Sequence, residues 1–463
     1  MPGGERPLDL GPPRRIHVVG LGGAGLSAIA TVLAAMGHRV TGSDLKASAA
    51  VERVRSSGIP VTVGHAAANV GDAELVAVST AIPAANPEVV AARRRGIPVL
   101  RRAEVLAAVV ATRRGVGVAG THGKTTTSSM LALVLVEAGL RPSFLIGGQV
   151  NEIGTGAVWD DGEWLVVEAD ESDGTFLELP LEAVVVTSVE PDHLEAYGGS
   201  FDAQVGAFGR FLDGAPGPRV VCADDPVAAR LAAEAGAVTY GTAEGAAYRM
   251  TGVRTGRSGA SFSVEHAGEA LGTVELPVPG LHNARNACAA LVAGLALGAP
   301  FPAAVAALGR FGGVARRFQF RGERDGVTFV DDYAHLPGEV RAVLAAARAG
   351  GWRRVVCAFQ PHRYSRTAAA AADFAGAFAD ADLVVLPDVY AEGEAPRPGV
   401  TGRLVVDAVL DADPATRLAY LPHRQDVAPY LRRTLRPGDL CLSLGAGDIT
   451  LLAAELLRPG PPR

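Results

Sequence analysis

Residues 120–127 combine the residue types that bind phosphate, in the order Gly-Thr-His-Gly-Lys-Thr-Thr-Thr. Lys124 is one of only two lysines in a chain of 463 residues whose lysines and arginines total 43. A chain that uses arginine for nearly every cation favours lysine where a compact, flexible ammonium is needed. The segment lies between a β-type run (115–119) and a helical run (125–138). Such a turn presents backbone N–H groups to an anion, while the lysine reaches the outer phosphates and the first threonine reaches Mg²⁺.

The match to the general phosphate-loop pattern is incomplete. The strict spacing G-x-x-x-x-G-K-[ST] requires glycine at position 118, where this chain has Val118. The alternative is a glycine-rich strand–helix turn with an incidental lysine. The order of strand, turn, Lys-Thr and helix favours the phosphate loop.

A second glycine turn occurs near the start of the chain, at residues 20–25 (Gly-Leu-Gly-Gly-Ala-Gly). A strand at Arg15–Val19 precedes it, and a helix through Met36 follows it. A second strand then leads to Asp44. This spacing is typical of folds that bind mononucleotides and dinucleotides, and it predicts a nucleotide diphosphate near the helix without saying which nucleotide.

Polar clusters follow two strands after the phosphate loop. The strand at 164–167 leads into Glu168-Ala-Asp-Glu-Ser-Asp173, and the strand at 183–189 leads into Glu190-Pro-Asp-His193. Since the carboxyl ends of parallel strands share one edge of a sheet, both clusters should lie beside residues 120–127.

These clusters offer the oxygen donors that Mg²⁺ prefers when it bridges a protein to phosphates. Thr125 with one carboxylate could hold such an ion. Glu168 competes for that role with the other acidic residues of both clusters, and the spacing alone does not indicate which carboxylate binds the ion. His193 is a candidate for a second metal or for phosphate, although a hydrogen-bonded structural histidine is the alternative. Asn283 and Asn286, at the start of a helix, could cap that helix or contact an adenine edge.

The pattern as a whole predicts an α/β protein, because apolar β-branched runs alternate with Ala- and Leu-rich helical runs almost throughout. The length suits about three domains of ~150 residues. We expect a Rossmann-like domain at 14–111, a central domain of the phosphate-loop ATPase type with a mostly parallel sheet at 112–312, and a Rossmann-like domain at 313–463.

The composition and net charge limit the kinds of partner that this protein is expected to bind. The net charge of −6 gives no basic footprint for nucleic acid. The N-terminus has no apolar signal segment, and four widely spaced cysteines suit a reducing compartment. Residues 288–308 carry no charge over 21 positions, but their glycines and prolines favour two short helices over a membrane span. We therefore expect a cytoplasmic protein, a monomer or weak dimer, without nucleic-acid or membrane partners.

Ten stretches together resemble one family, the ATP-dependent Mur ligases. They are HVVGLGGAGLSAIA (17–30), GSD (42–44), GTHGKTTT (120–127), EADESD (168–173), EPDH (190–193), GLHNARNACAA (280–290), RRFQ (316–319), DDYAH (331–335), QPHRYSRT (360–367) and GAGDI (445–449). The resemblance is to the alanine-adding branch, and it implies a step of peptidoglycan precursor synthesis. ATP would phosphorylate the lactyl carboxylate of UDP-N-acetylmuramate, and the amine of L-alanine would attack the acyl phosphate, giving the amide, ADP and phosphate.

The resemblance also implies a role for individual residues. As catalytic residues it implies Lys124, His193 and Arg317. As ligands of two Mg²⁺ ions it implies Thr125, Glu168 and His193. Around ATP it places Gly120, Thr121, His122, Gly123, Lys124, Thr125, Thr126, His282, Asn283, Asn286, Arg317 and Asp332. Around the UDP substrate it places Gly20, Gly22, Gly23, Ala24, Gly25, Ser27, Asp44 and Ser79. Facing the muramate and the amino acid it places Tyr333, His335, His362, Arg363 and Arg366.

The sequence departs from the family pattern in the third domain and in its lysines. Leu336 stands where the family usually has a second histidine, and Gly338 stands where threonine is common. Both changes concern the amino-acid pocket. Some relatives carry a carbamylated lysine that bridges the metals, but no lysine follows Lys124 here, so this chain cannot use one.

Three other functions are compatible with part of the pattern. An NAD-dependent oxidoreductase would use the turn at 20–25 and Asp44, but it does not need the loop at 120–127. A ligase that recycles a tripeptide onto UDP-muramate shares the fold, but its N-terminal turn usually differs from GLGGAGLSAIA. A non-catalytic nucleotide-binding regulator would not need Lys124, Thr125, Glu168 and His193 together.

Overall fold

The structure is a computed structural model that describes residues 8–79 and 81–458. Within them the chain forms three sheets flanked by helices, which confirms the predicted α/β class. By contact density it divides into two compact units. The first contains the residues up to 250, 264–272 and 285–308, and the second contains 251–263, 273–284 and those from 309 onward. This division does not test the three predicted domain boundaries, which stay a prediction.

The first sheet has five strands in the order β3-β2-β1-β4-β5, all parallel. Its strands are β1 Arg15–Val19, β2 Arg39–Asp44, β3 Val61–Val63, β4 Leu75–Val78 and β5 Val99–Arg101. Its helices are α1 Ala24–Ala35, α2 Ala49–Ser56, α3 Pro87–Arg94 and α4 Arg102–Val110. Strands β2 and β3 lie on one side of β1, and β4 and β5 lie on the other, so the strand order reverses between β1 and β4. The loops after β1 and β4 therefore flank the crevice where α/β sheets bind ligands.

The second sheet has ten strands in the order β15-β14-β13-β12-β11-β10-β6-β9-β7-β8. Its strands are β6 Arg114–Ala119, β7 Ser143–Val150, β8 Thr155–Val158, β9 Trp164–Glu168, β10 Leu181–Val186, β11 Arg219–Cys222, β12 Val238–Gly241, β13 Tyr248–Gly256, β14 Gly259–His266 and β15 Glu269–Leu276. The accompanying helices are α5 Lys124–Glu137, α6 Phe201–Asp213, α7 Pro226–Ala235, α8 Leu281–Ala296 and α9 Phe301–Gly309. Strand β6 pairs in parallel with β9 and β10, so the carboxyl ends of these three strands meet at one edge.

The third sheet has six strands in the order β16-β17-β21-β18-β19-β20, of which only β16 pairs antiparallel. Its strands are β16 Gln319–Arg324, β17 Val327–Asp332, β18 Arg354–Phe359, β19 Leu383–Leu386, β20 Leu418–Tyr420 and β21 Asp439–Leu444. Its helices are α10 Pro337–Ala349, α11 Tyr364–Ala370, α12 Arg403–Ala412, α13 Val427–Thr434 and α14 Leu452–Leu457. The buried side chains of β17, β18 and β21 pack against these helices on both faces.

The charge-free stretch at 288–308 falls on two helices, α8 and α9, that are separated at residues 297–300, as predicted. In the part of the chain that the structure describes, no helix is both long and apolar enough to cross a membrane.

Candidate active site

The first glycine turn is held by main-chain and carboxylate acceptors at the end of β2. The carbonyl of Ser43 accepts hydrogen bonds from the N–H groups of Gly20 and Leu21, at 2.9 and 3.0 Å. Asp44 accepts one from Gly22 at 2.8 Å. A side chain on Gly22 would place its Cβ 2.8 Å from that carboxylate oxygen, so the turn needs glycine there.

The other residues predicted for this site surround the same turn. Helix α1 begins at Ala24 after Gly23, and within the described chain no side chain caps it. Ser27 lies in its first turn, and Gly25 lies against the side chain of Arg102, whose Cδ would be 3.1 Å from a Cβ at position 25. Ser79, after β4, approaches Gly20, so the structure brings the predicted set together.

The second glycine turn connects β6 to α5. Gly120 and Gly123 have positive φ values of 137° and 81°, which favour glycine. A Cβ on Gly120 would lie 2.1 Å from Thr187 Oγ1, and one on Gly123 would lie 2.5 Å from Asn286 Oδ1. In the described residues α5 has neither a side-chain cap nor an acidic residue in its first turn, so its first N–H groups are available to an anion.

Lys124 is the first residue of α5, and its ammonium lies over the turn. It donates to the carbonyl of Gly120 and to Glu171 Oε1, both at 2.8 Å. Glu171 is 1% exposed, and the side chain of Lys124 is 16% exposed. Burial lowers the pKa of Lys124, but the carboxylates of Glu171, Asp170 and Glu168 outweigh it, so the pKa lies above its ordinary value. The lysine is therefore a fixed positive charge at the mouth of the loop.

The next residue, Thr125, contacts the end of β9. Its hydroxyl donates to Glu168 Oε1 at 2.7 Å, while Glu168 Oε2 accepts from the N–H of Gly147 at 2.7 Å. Thr126 follows, buried in the first turn of α5. The structure thus selects Glu168, among the competing carboxylates, as the one that contacts Thr125.

His193 has a positive φ of 51° and carboxylate neighbours. Its Nε2 lies 3.3 Å from Asp192 Oδ2, and its Nδ1 lies 3.8 Å from Glu195 Oε1. Residues 8–79 and 81–458 contain no group of three or more His, Cys, Asp and Glu side chains that could hold a metal. Mg²⁺ at a phosphate site commonly takes only one or two protein ligands, so the predicted metal residues stay a prediction.

The remaining loop residues are tied to the end of β10. Thr121 donates its hydroxyl to the carbonyl of Glu190 at 3.1 Å, and His122 Nε2 lies 3.3 Å from Glu190 Oε2. The N–H of His122 donates to Ser188 Oγ at 3.1 Å. These contacts fix the loop against the strand edge.

Three residues predicted near adenine lie at the start of α8. Asn286 is buried against Gly123 of the phosphate loop. Asn283 donates its amide to the carbonyl of Pro279 at 2.7 Å, whereas a helix cap would accept from a backbone N–H. The ring of His282 lies against Gly280.

In the second unit, Asp332 ends β17 and is buried. It accepts from the N–H groups of Phe318 and Ala334, at 2.6 and 2.7 Å. Burial raises its pKa to about 6, against the opposing effect of Arg317. The guanidinium of Arg317 lies 5.3 Å from the ring centre of Tyr333 and 4.0 Å from Glu339.

A cluster of rings and cations follows the ends of β17 and β18. The rings of Tyr333 and His335 are 5.2 Å apart, and those of His335 and His362 are 5.9 Å apart. Arg366 Nη1 lies 3.2 Å from His362 Nδ1. Burial lowers the pKa of both histidines, that of His362 to about 4, with nearby cations adding to the effect. Arg363 has a positive φ of 64° and donates its N–H to the carbonyl of Tyr390.

Comparison with known proteins identifies the family to which the chain belongs. Three family models match the chain: the catalytic domain of the Mur ligase family over residues 15–114, the Mur ligase middle domain over 118–294, and the Mur ligase glutamate ligase domain over 316–447. The chain belongs to the Mur ligase family.

Members of the family with established names resemble it over nearly its full length. The UDP-N-acetylmuramate–L-alanine ligase of Saccharopolyspora erythraea is 49% identical, over 96% of this chain and 92% of its own. The ligase of the same name from Pelotomaculum thermopropionicum is 45% identical, over 96% and 97%. The crystal structure of the UDP-N-acetylmuramate–alanine ligase of Thermotoga maritima superposes with a TM-score of 0.80 at 30% identity, over 96% and 98%.

Several residues that contact the predicted site residues were not singled out from the sequence. Glu339 accepts from the N–H of His335 at 2.9 Å and also approaches Arg317, so it connects two predicted site residues. Tyr390 stacks on His362, at 5.9 Å between ring centres. Gly147 fixes Glu168 through its N–H, and no sequence motif indicated that contact. Glu339 is the third residue of α10, four residues after His335. A glutamate at this helix position typically accepts from the N–H groups just before the helix, and this pattern could have identified Glu339 from the sequence.

Proposed function

We propose that the protein joins the amine of L-alanine to the lactyl carboxylate of UDP-N-acetylmuramate, with conversion of ATP to ADP and phosphate, in peptidoglycan precursor synthesis. The observation that carries the proposal is the contact set of Lys124, Thr125 and Glu168 at the shared edge of β6 and β9. The names of the relatives described above support the substrates. They favour this reaction over tripeptide recycling, a hydride-transfer enzyme or a regulator.

In this proposal each of the three predicted domains binds a different ligand. Residues 14–111 would hold the UDP portion, residues 112–312 would hold ATP, and residues 313–463 would hold the amino acid. Each range supplies a strand edge with polar groups at its carboxyl ends, which is where open α/β sheets bind their ligands.

For the phosphoryl step, the chain must offset the charge of a triphosphate that meets a carboxylate. The N–H groups at the start of α5 and the ammonium of Lys124 would contact the outer phosphates, and Arg317 would approach the γ-phosphate. The attack of the lactyl carboxylate oxygen on the γ-phosphorus breaks the bond to ADP and leaves an acyl phosphate. Fixed positive groups around the transferred phosphoryl are the main catalytic contribution in such reactions.

Mg²⁺ suits the oxygen donors of this edge. Thr125 Oγ1 and Glu168, 2.7 Å apart, would hold one ion, and Glu168 with His193 would hold a second. Bound Mg²⁺ would neutralise phosphate charge and align the oxygens.

For the amide-forming step, the geometry of His335 indicates a proton acceptor. Its Nδ1 lies 3.1 Å from the carbonyl of Tyr333 and 3.3 Å from Glu339 Oε2, and both of these atoms can only accept. Nδ1 therefore carries the proton, and since burial lowers the pKa of His335 the ring is neutral, with a lone pair on Nε2. Nε2 would take the proton of the alanine ammonium before the amine attacks the acyl carbon. The tetrahedral intermediate then breaks its C–O bond to phosphate, and the remaining extra amine proton leaves with that phosphate, which gives the amide.

The proposal implies a cytoplasmic enzyme that acts as a monomer or weak dimer, without nucleic-acid or membrane partners. The four cysteines are free and buried, which supports a reducing compartment.

The test is ADP formation by the purified protein with UDP-N-acetylmuramate, Mg²⁺, ATP and one amine at a time. Alanine, glycine, serine and the tripeptide form the panel, and reactions without the sugar nucleotide or without the amine are the controls. We expect ADP release that requires both acceptor and alanine, together with a product of the mass of the alanine amide. Release with the tripeptide but not with alanine would contradict the proposal, as would no release at all.

A further inference from the structure

A fully buried carboxylate lies behind the first glycine turn and has no place in the chemistry above. Glu88 is the second residue of α3, and its side chain is 0% exposed. A buried ion is costly unless hydrogen bonds replace its water. Burial alone would raise the pKa of Glu88, but the nearby ring of His17 and the hydrogen bonds from Ser43, Asn69 and the N–H of Ala66 lower it to about 2. Glu88 is therefore charged at neutral pH.

The donors come from several separate segments of the first sheet. Oε1 accepts from Asn69 Nδ2 at 2.5 Å and from the N–H of Ala66 at 3.2 Å. Oε2 accepts from Ser43 Oγ at 2.5 Å and from His65 Nδ1 at 3.3 Å. His17 Nε2, on β1, lies 3.6 Å from the same oxygen. One carboxylate thus joins β1, β2, the segment after β3, and α3.

Ser43 connects this carboxylate to the nucleotide turn. Its hydroxyl is bound by Glu88, while its carbonyl accepts from the N–H groups of Gly20 and Leu21. The next residue, Asp44, accepts from the N–H of Gly22. Ser43 and Asp44, at the end of β2, therefore fix three consecutive N–H groups of the turn. Glu88 in turn binds the side chain of Ser43.

We propose that Glu88 is a positioning residue for substrate binding: through Ser43 it clamps the end of β2 and so sets the shape of the turn at 20–25 that receives the UDP diphosphate. The inference rests on the proposed function of that turn. Glu88 itself does not touch the substrate. A carboxylate that only stabilised the core would have no selective effect on one ligand.

The test is Glu88→Gln, which keeps the size of the side chain but places an NH₂ group opposite donors. We expect the dissociation constant for UDP, measured by titration calorimetry on the full chain, to rise about tenfold, which is the effect of losing roughly one hydrogen bond to a charged group. KM for UDP-N-acetylmuramate should rise in parallel, while KM for ATP and kcat change less than about twofold. Glu52→Gln, at an exposed residue of α2 paired with Arg55, is the matched control.

A second variant keeps the inference testable if Glu88→Gln does not fold. Ser43→Ala removes the connection between Glu88 and β2, together with the contact of the same hydroxyl to His65 Nδ1, while the other donors to the carboxylate remain. We expect a smaller but selective loss of UDP affinity, and the double variant should lose less than the two single losses together, as for residues that act through one contact. Ser57→Ala, which removes a serine hydroxyl that bonds to Val54 within the same unit, is its control.

The outcomes separate this inference from the function on which it rests. If the unaltered protein does not bind UDP, the proposed role of the turn fails, and the inference fails with it. If the unaltered protein binds UDP, but Glu88→Gln and Ser43→Ala lower only the melting temperature and leave UDP affinity unchanged, Glu88 is a core residue and the inference alone is overturned.

Discussion

The two glycine turns of this chain each open a helix after a parallel strand, yet their charges are arranged differently. In the first turn, Asp44 accepts from the N–H of Gly22, and a cation from another segment, Arg102 of α4, lies against Gly25. Lys46 stands two residues after Asp44 and is exposed. In the second turn the cation is Lys124, the first residue of the helix itself, paired with Glu171 at 2.8 Å.

This difference corresponds to the work proposed for each turn. A diphosphate that is only held can be bound by N–H groups and a distant cation, because no charge develops on it. A triphosphate that reacts needs a fixed positive charge where charge develops, and carboxylates to hold metal. The position of the cation therefore distinguishes a binding turn from a reacting one, and substituting these cations tests the distinction.

The largest effect is expected from Lys124→Ala. Removing the ammonium takes away the charge nearest the outer phosphates, so kcat for ADP formation should fall at least ~10³-fold, the scale of removing a phosphate-directed cation. UDP affinity and the melting temperature should change little, because the buried Glu171 can take up a proton once its partner is gone.

Lys124→Arg is the matched control for this loss. Its planar guanidinium keeps the charge but not the shape, so it should restore only part of the rate. If Lys124→Ala keeps turnover within tenfold of the original, the second turn does not need the cation on its helix. The position of the cation would then not distinguish the two turns.

The next effect is expected from Glu168→Gln. The single amide oxygen can still accept from the N–H of Gly147, and the NH₂ group can donate to the Thr125 hydroxyl. The neutral amide is a weaker metal ligand, so the Mg²⁺ concentration for half-maximal rate should rise and kcat should fall on the order of 10²-fold. A magnesium titration of ADP formation measures both. The exposed Asp161→Asn, whose residue pairs with Arg141, is the control. An unchanged magnesium requirement would remove Glu168 from the metal site.

Local patterns made much of this architecture predictable. The strand predicted at Arg15–Val19 is β1 without change, and the predicted helix after the phosphate loop is α5 within one residue at each end. Gly20 directly follows β1 and Gly123 directly precedes α5, so a glycine in the sequence marks each of these two limits. The strand predicted at 183–189 runs instead from Leu181 to Val186. Beyond Val186 the backbone of Thr187 and Ser188 bonds to Ala119 at the end of β6 and to Thr121 of the phosphate loop, and the sequence pattern does not distinguish these contacts from a strand.

What the sequence did not reveal are contacts between distant positions. Glu171 meets Lys124 across 47 positions, and Glu88 meets Ser43 across 45. No periodicity encodes such pairs, since they depend on which strands become neighbours in the sheet. Glu171 was visible as one of several carboxylates, but only the fold decides which of them faces the lysine and which faces Thr125.

A smaller effect, confined to the first turn, is expected from Arg102→Ala. The stem of Arg102 packs on Gly25, and its guanidinium lies 3.6 Å from Asp173, too far for a strong hydrogen bond. A diphosphate at the start of α1 would be a better partner, so KM for UDP-N-acetylmuramate should rise about tenfold while KM for ATP stays unchanged. The neighbouring Arg101→Ala, exposed and paired with Glu104, is the control. A fall in kcat with unchanged KM would instead place Arg102 with the carboxylate cluster.

The smallest effect is expected from Lys46→Ala, the loss of the only other lysine. Lys46 is exposed, and it contacts Asp44 through its backbone N–H, which alanine retains. An exposed charge is screened by salt, so KM for UDP-N-acetylmuramate should change less than about threefold, and the change should vanish as ionic strength rises. Steady-state kinetics at low and at physiological ionic strength measure this. A tenfold rise that persists in salt would mean that the flexible ammonium reaches the bound diphosphate. The first turn would then use a lysine as the second does, and the two turns would differ only in how deeply that lysine is buried.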